Sequence, residues 1–406
     1  MKKFILSIIA LALLTSCKVN NAPVIETKTL QLSEAQKVRV LQDNDFAFEL
    51  MKLTIAEASD KNVFISPLSV SLALGMALNG AEGETRTEME NALKLSRLSK
   101  EEINVYYRQM QTNLPGLDPK TKLSIANSIW YRNSFKVKPD FLKTNVDYFN
   151  SEVASLDFNS PKSVDIINQW CSDNTNGLIP SVIDKIDPLQ MMFLINAVYF
   201  KGIWVRKFDK EKTEEGIFTN EMNQQVKVNY MNIKDTFAYT EDSFAQYLDL
   251  PYGNGAFSMT LILPKETGGA NLIFDRLTLS QFNTALEGLF AQEVQVMIPR
   301  FKVKNRFDLI PMLQTMGMNK AFTQEAEFDG ISDMKPLLIN MIQHDTYVEV
   351  TEEGTEAAAV TTVGFTTTSV PQTTYFTANR PFGFVIREKS SGVILFMGKM
   401  GNVEKH

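Results

Sequence analysis

The chain has 406 residues, 44% of them hydrophobic and 27 of them Phe, which is enough apolar surface for a large core. Its 41 Lys and Arg against 47 Asp and Glu leave a formal charge of −6, which argues against a nucleic-acid face or a strongly basic polysaccharide site. The only histidines are His344 and the terminal His406, and the chain has no HExxH, paired CxxC, GxxxxGK[ST] or GxSxG motif. That inventory argues against an enzyme, and leaves an all-carboxylate arrangement as the only route to a metal site. No cofactor is expected.

The first element is an export signal. Lys2 and Lys3 precede an apolar run over residues 4–14, followed by Leu14-Thr15-Ser16-Cys17, a pattern too short to span a bilayer and remain there. The small residues ahead of Cys17 resemble a bacterial lipobox, which predicts cleavage after residue 16 and acylation of the Cys17 thiol. Several acyl chains anchor strongly, at roughly 0.8 kcal/mol per buried methylene. The expectation is a lipoprotein held on a bacterial membrane, at the outer membrane or cell surface, by a polar tether over residues 17–40. Cys171 then remains as a lone thiol, so stability rests on the core and not on a disulfide.

No Pro/Gly/Ser-rich break or repeat interrupts residues 45–400, and residues 41–406 read as one large domain. Within it, residues 337–350 form a long strand pattern carrying His344, which in such a place is usually a hydrogen-bonded core or edge histidine. The pattern runs into a ribbon of small residues, Glu352-Glu353-Gly354-Thr355-Glu356-Ala357-Ala358-Ala359-Val360-Thr361-Thr362. As a strand, it would carry Thr355, Ala357, Ala359, Thr361, Val363 and Phe365 on one face, grading from small to large. Small leading residues slide between packed strands where a charge or a bulky group would not. Apolar runs at residues 381–386 and 393–398 follow and predict two buried closing strands, so the ribbon is a loop that returns to its own core.

The segment from Glu352 to Thr362 resembles the proximal hinge of the inhibitory serpins, and Ala378-Asn379-Arg380-Pro381-Phe382 with Phe396-Met397-Gly398 resembles the end of that fold. The likeness continues through Asn62-Val63-Phe64-Ile65-Ser66-Pro67-Leu68-Ser69, Asn79-Gly80-Ala81, Asn168-Gln169-Trp170 with Thr175-Asn176-Gly177-Leu178-Ile179-Pro180, the run from Leu194 to Trp204, and Val294-Gln295-Val296-Met297-Ile298-Pro299-Arg300-Phe301.

The resemblance implies an α+β fold with a large central mixed β-sheet, additional sheets, surrounding helices and an exposed reactive loop over about residues 352–377. It implies a hinge at Glu352, Gly354, Thr355, Glu356, Ala357, Ala358 and Ala359, a sheet-opening cluster of Ser66, Ser69, Asn196 and His344, and Trp204 where the hinge enters the sheet. The family's spacing puts the cut at Thr368-Ser369, with Thr367-Thr368 as the neighbouring choice and Phe365, Thr366 and Thr367 as loop subsites. A threonine at the cut favours elastase-like or subtilisin-like serine proteases, with papain-like cysteine proteases as additional targets. Those proteases, held as covalent acyl complexes, are the expected partners of a monomer. The competing expectations are a non-inhibitory serpin acting as a binding lipoprotein and a sugar-binding lipoprotein.

Overall fold

In the computed structural model, residues 27–58, 62–96, 98–266, 271–355 and 373–404 are described. Its helices are α1 (Glu34–Ala58), α2 (Pro67–Leu78), α3 (Gly83–Ala92), α4 (Lys100–Asn113), α5 (Pro139–Phe149), α6 (Lys162–Asn174), α7 (Asn271–Arg276), α8 (Leu279–Glu287) and α9 (Ile310–Thr315). Local chemistry starts several of them. Ser66 caps α2 by accepting the Ser69 N–H while Pro67 supplies the first helical residue, and Ser99/Glu102 and Thr278/Gln281 form reciprocal capping boxes on α4 and α8.

The strands are β1 (Val63–Ile65), β2 (Lys122–Arg132), β3 (Ser151–Leu156), β4 (Met192–Ile203), β5 (Glu214–Thr219), β6 (Gln225–Glu241), β7 (Ala245–Pro251), β8 (Phe257–Pro264), β9 (Phe290–Pro299), β10 (Phe301–Asp308), β11 (Gln343–Thr351), β12 (Gly354–Thr355), β13 (Thr374–Thr377), β14 (Phe382–Glu388) and β15 (Ile394–Met400). They form two sheets. A nine-stranded sheet runs β1-β15-β14-β8-β7-β6-β9-β13 with β5 branching from β6, and a six-stranded sheet runs β10-β11-β12-β4-β2-β3. The apolar runs near the C-terminus become β14 and β15, paired antiparallel and buried at every residue. Charge inside this sheet is matched: Asp249 accepts from Arg387 at 3.0 Å and from Thr260 at 2.8 Å.

The six-stranded sheet is mixed, with β2–β3 parallel and the other pairs antiparallel. Each of its faces is covered. Helix α6 closes one face through Trp130, Ile167, Trp170, Phe193 and Ala197, and the opposite face joins the main core through residues such as Phe200, Val348 and Val350.

Two expectations change. The strand pattern over residues 337–350 yields a strand only from Gln343; the preceding stretch spends its backbone elsewhere, with Ile339 N–H donating to Ala321 O and Ile342 O accepting from Leu309 N–H. Its apolar residues pack on the core without a ladder, so apolarity alone overextended the strand. The folded body also starts before residue 41, because α1 begins at Glu34 and Leu30 is already buried, its N–H bonded to Ser390.

Candidate functional site

The site is the seam between β4 and β11. Two residues, Gly354 and Thr355, fill its upper end as β12, with Gly354 opposite Ile203 and Thr351 and Thr355 opposite Gly202 and Val350. Strands β4 and β11 therefore run in the same direction, and among the described residues no pairing joins them directly below this point.

Why the chain turns in here follows from its side chains. Gly354 has φ +139°, and a Cβ there would lie 2.1 Å from Gly202 O, so both conformation and space demand glycine. Thr355 is buried and its hydroxyl shares a 2.8 Å hydrogen bond with Tyr252 Oη. Tyr252 in turn stacks on Trp204 with ring centroids 4.4 Å apart. Trp204 closes the arrangement, donating its indole N–H to Thr351 O at 3.0 Å and its backbone N–H to Glu353 O at 2.9 Å.

Two carboxylates pin the entry. Glu352 accepts from Arg300 Nε at 2.7 Å and from the Thr213 hydroxyl, and its carbonyl accepts from Phe208 N–H. Burial works to raise its pKa, but the hydrogen bonds from Arg300 and Thr213 overcome it and hold the carboxyl below the ordinary glutamate value. Glu353 pairs with Lys210 at 2.7 Å.

Below β12 a cavity of about 570 Å³ lies between the start of β4, residues 334–345 and the buried face of α2. Ser69, Asn196 and His344 all line it. His344 Nε2 accepts the Ser66 N–H at 2.9 Å, and the Ser66 hydroxyl donates to Leu395 O and accepts from Ser69 N–H. Burial lowers the His344 pKa to about 4, so the ring is neutral at physiological pH with its proton on Nδ1.

The structure thus brings Ser66, Ser69 and His344 into one hydrogen-bonded group, but sets Asn196 apart from it. Asn196 donates to Asn127 Oδ1 at 2.7 Å and to Ala126 O, while its own Oδ1 has no partner among the described residues. Trp204 stands at the hinge. Cys17, Glu356, Ala357, Ala358, Ala359, Phe365, Thr366, Thr367, Thr368 and Ser369 lie outside the described residues.

Sequence reasoning missed Tyr252, Gly202, Thr213 and Lys210. Tyr252 lies over a hundred positions from Thr355 and carries no local motif; Arg300, inside the quoted Pro299-Arg300-Phe301 run, was the one available signal for the Glu352 anchor.

Comparison with known proteins gives one family. The model described as "Serpin (serine protease inhibitor)" matches residues 41–403. The chain is 35% identical to the leukocyte elastase inhibitor of Bos taurus, over 88% of this chain and 97% of that protein. Among solved structures it is similar to the native state of tengpin, a thermophilic serpin, with a TM-score of 0.83 and 34% identity over 93% of this chain and 96% of that one. It is also similar to human thyroxine-binding globulin complexed with thyroxine, with a TM-score of 0.83 and 27% identity over 91% of this chain and 99% of that one.

Proposed function

The chain belongs to the serpin family, and from that premise we propose that it is an irreversible suicide-substrate inhibitor of proteases and not an enzyme. A protease cuts the loop near Thr368-Ser369 and is left as an acyl-enzyme on the residue before the cut. The freed loop inserts between β4 and β11 as a full strand, carrying the protease with it. A displacement near 1 Å in the protease's site already costs about 100-fold in rate, so deacylation stops.

One observation carries the reading: the first two residues of the required strand, Gly354 and Thr355, are already paired to both neighbours. Continuing that register residue by residue, Val363 would come opposite Leu194 and Phe365 opposite Met192, on the face that packs into the main core. Burying each contributes roughly 1.5–3 kcal/mol, and new ladder hydrogen bonds add to it. The uncut form is then held by a barrier.

The favoured targets are elastase-like and subtilisin-like serine proteases, with cysteine proteases as additional ones. The likeness to the leukocyte elastase inhibitor supports that choice. We further propose that Cys17 is acylated and that the protein acts as a monomer exported to a bacterial membrane surface. Incubation with an elastase and, separately, with trypsin tests the inhibitory reading. It expects a complex with elastase that survives a denaturing gel, a cut within one or two residues of Thr368, and a large rise in melting temperature after the cut. Labelling with a fatty-acid analogue, lost in Cys17→Ser, tests the anchor.

A binding role without loop insertion is the second reading, favoured by the likeness to thyroxine-binding globulin. Equal melting temperatures for cut and uncut protein, with no covalent complex, would establish it in place of the first.

A further inference from the structure

Four methionines line the cavity between β4 and β11. Met192 opens β4 and Met191 directly precedes it, while Met334 and Met341 lie in the stretch before β11; all four line the cavity. Met334 is 43% exposed and Met341 39% exposed, whereas Met191 and Met192 are partly buried against the core. The reactive loop itself, residues 352–377, contains neither Met nor Cys. Cys171 also lines the cavity, but burial, with the Asp345 charge, pushes its thiol up to about 12, so it is a poor reductant at neutral pH. Thioether oxidation needs no deprotonation, which leaves the methionines as the oxidisable groups of this cavity.

Their position gives the chemistry a consequence. Continued from Thr355 opposite Gly202, the register of an inserted strand would set Phe365 opposite Met192, the first residue of β4, with Met191 one residue before that strand and Met341 two residues before the start of β11 on the other side. Phe365 and the loop residues after it would be the last to enter, where the race between insertion and deacylation is decided. Unoxidised methionines suit this place because flexible thioethers reshape around an incoming strand. A sulfoxide puts a strong dipole and a fixed chiral oxygen into the same packing.

We propose that Met191, Met192, Met334 and Met341 form an oxidant-responsive site at the closing end of the insertion path, and that their conversion to methionine sulfoxide turns the chain from inhibitor into substrate. The inference rests on the inhibitory reading. In each step the sulfur lone pair attacks one oxygen of hydrogen peroxide, the O–O bond breaks, a sulfur–oxygen bond forms, and water leaves. The sulfur is oxidised by two electrons and the peroxide is reduced by two.

The test is a graded hydrogen peroxide treatment of the intact protein, with sulfoxides mapped by mass spectrometry and stoichiometry of inhibition measured against an elastase. Met334 and Met341 should oxidise first, then Met191 and Met192, with stoichiometry rising about twofold or more as the second pair converts. Methionine sulfoxide reductase should reverse the loss. The quadruple variant Met191→Leu, Met192→Leu, Met334→Leu, Met341→Leu should resist peroxide, and Met222→Leu, at an exposed turn residue away from the cavity, should remain as sensitive as the parent. If the quadruple variant does not fold, Met191→Leu with Met192→Leu carries the same comparison. Complete sulfoxidation of the four with unchanged stoichiometry overturns the inference, as does a leucine variant that loses inhibition as fast as the parent. Absence of any covalent complex with untreated parent would instead overturn the inhibitory reading beneath it.

Discussion

The two sheets of this molecule follow opposite rules. In the nine-stranded sheet the long neighbours pair along their whole facing edges: β6 and β9 match from Tyr230↔Pro299 to Tyr239↔Phe290, and β8, β14 and β15 are buried at every residue. In the six-stranded sheet the strand between β4, with 12 residues, and β11, with 9, has two described residues. Backbone groups in a closed sheet are committed to one partner each. Under the proposed mechanism, the seam between β4 and β11 is where another strand would enter without dismantling an existing ladder. The difference teaches that the proposed rearrangement would be confined to one seam, with the nine-stranded sheet as the frame beside it.

The sharpest way to break that contrast is a charge at the head of the seam. Thr355 is buried between Gly202, Val350 and the Tyr252 hydroxyl. Thr355→Arg puts an unpaired guanidinium there, which costs about 3–5 kcal/mol if it stays buried. The expected outcome is that β12 leaves the sheet while the rest folds, and that elastase cleaves the loop without being retained. A denaturing gel reads the result, and a persistent covalent complex would count against insertion as the trapping step.

How much of this was legible beforehand varies with the kind of signal. The closing strands β14 and β15 were readable because both faces are buried, so sequence there is a nearly unbroken apolar run. The start of α2 came only with the family resemblance over residues 62–69, although Ser66-Pro67 does combine a cap with a first-turn proline. The apolar stretch over residues 337–342 gave the wrong element, since apolarity reports burial and not pairing, and Leu337, Leu338, Ile339 and Ile342 are partly buried against the core. The hinge's small residues pointed to the seam, yet the Tyr252–Trp204 stack that receives them was invisible, because it joins segments that only the folded sheet brings together. Asn196 fell on the right strand, but its partner, Asn127 on β2, could not be read from its own neighbours.

A second, smaller effect separates the seam from the frame by pH. His344 sits under the seam as a neutral acceptor of the Ser66 N–H, with its pKa lowered by burial from 6.5 to about 4. The unfolded chain therefore takes up this proton first. Stability is at its full value above about pH 6.5 and falls as pH drops toward 4, by roughly 3 kcal/mol from this residue. Asp345, whose carboxyl burial pushes up against the pull of Arg306 and Gln343, also changes charge on the acid side, so the readout is the difference between parent and His344→Gln. Denaturant midpoints measured from pH 7.5 to 4 should fall more steeply for the parent than for the variant. Parallel curves would mean that the histidine is already solvated.

The smallest effect is the most selective for the seam. Carried on from Thr355, the register of an inserted strand would place Thr361 between Asn196 on β4 and His344 on β11, all three on the core-facing side. Asn196 Oδ1 has no partner among the described residues, and His344, accepting on Nε2, carries a donor on Nδ1. A threonine hydroxyl can donate to the first and accept from the second, whereas valine fills the same volume and does neither. Thr361→Val should therefore lower the stability of the loop-cleaved form by about 0.5–1.5 kcal/mol per hydrogen bond lost, while leaving the uncut form unchanged. Denaturant unfolding of both forms checks this: a loss of equal size in the uncut protein would place Thr361 in the folded body before any cut, and no loss in either would mean that the inserted strand follows a different register from the one β12 begins.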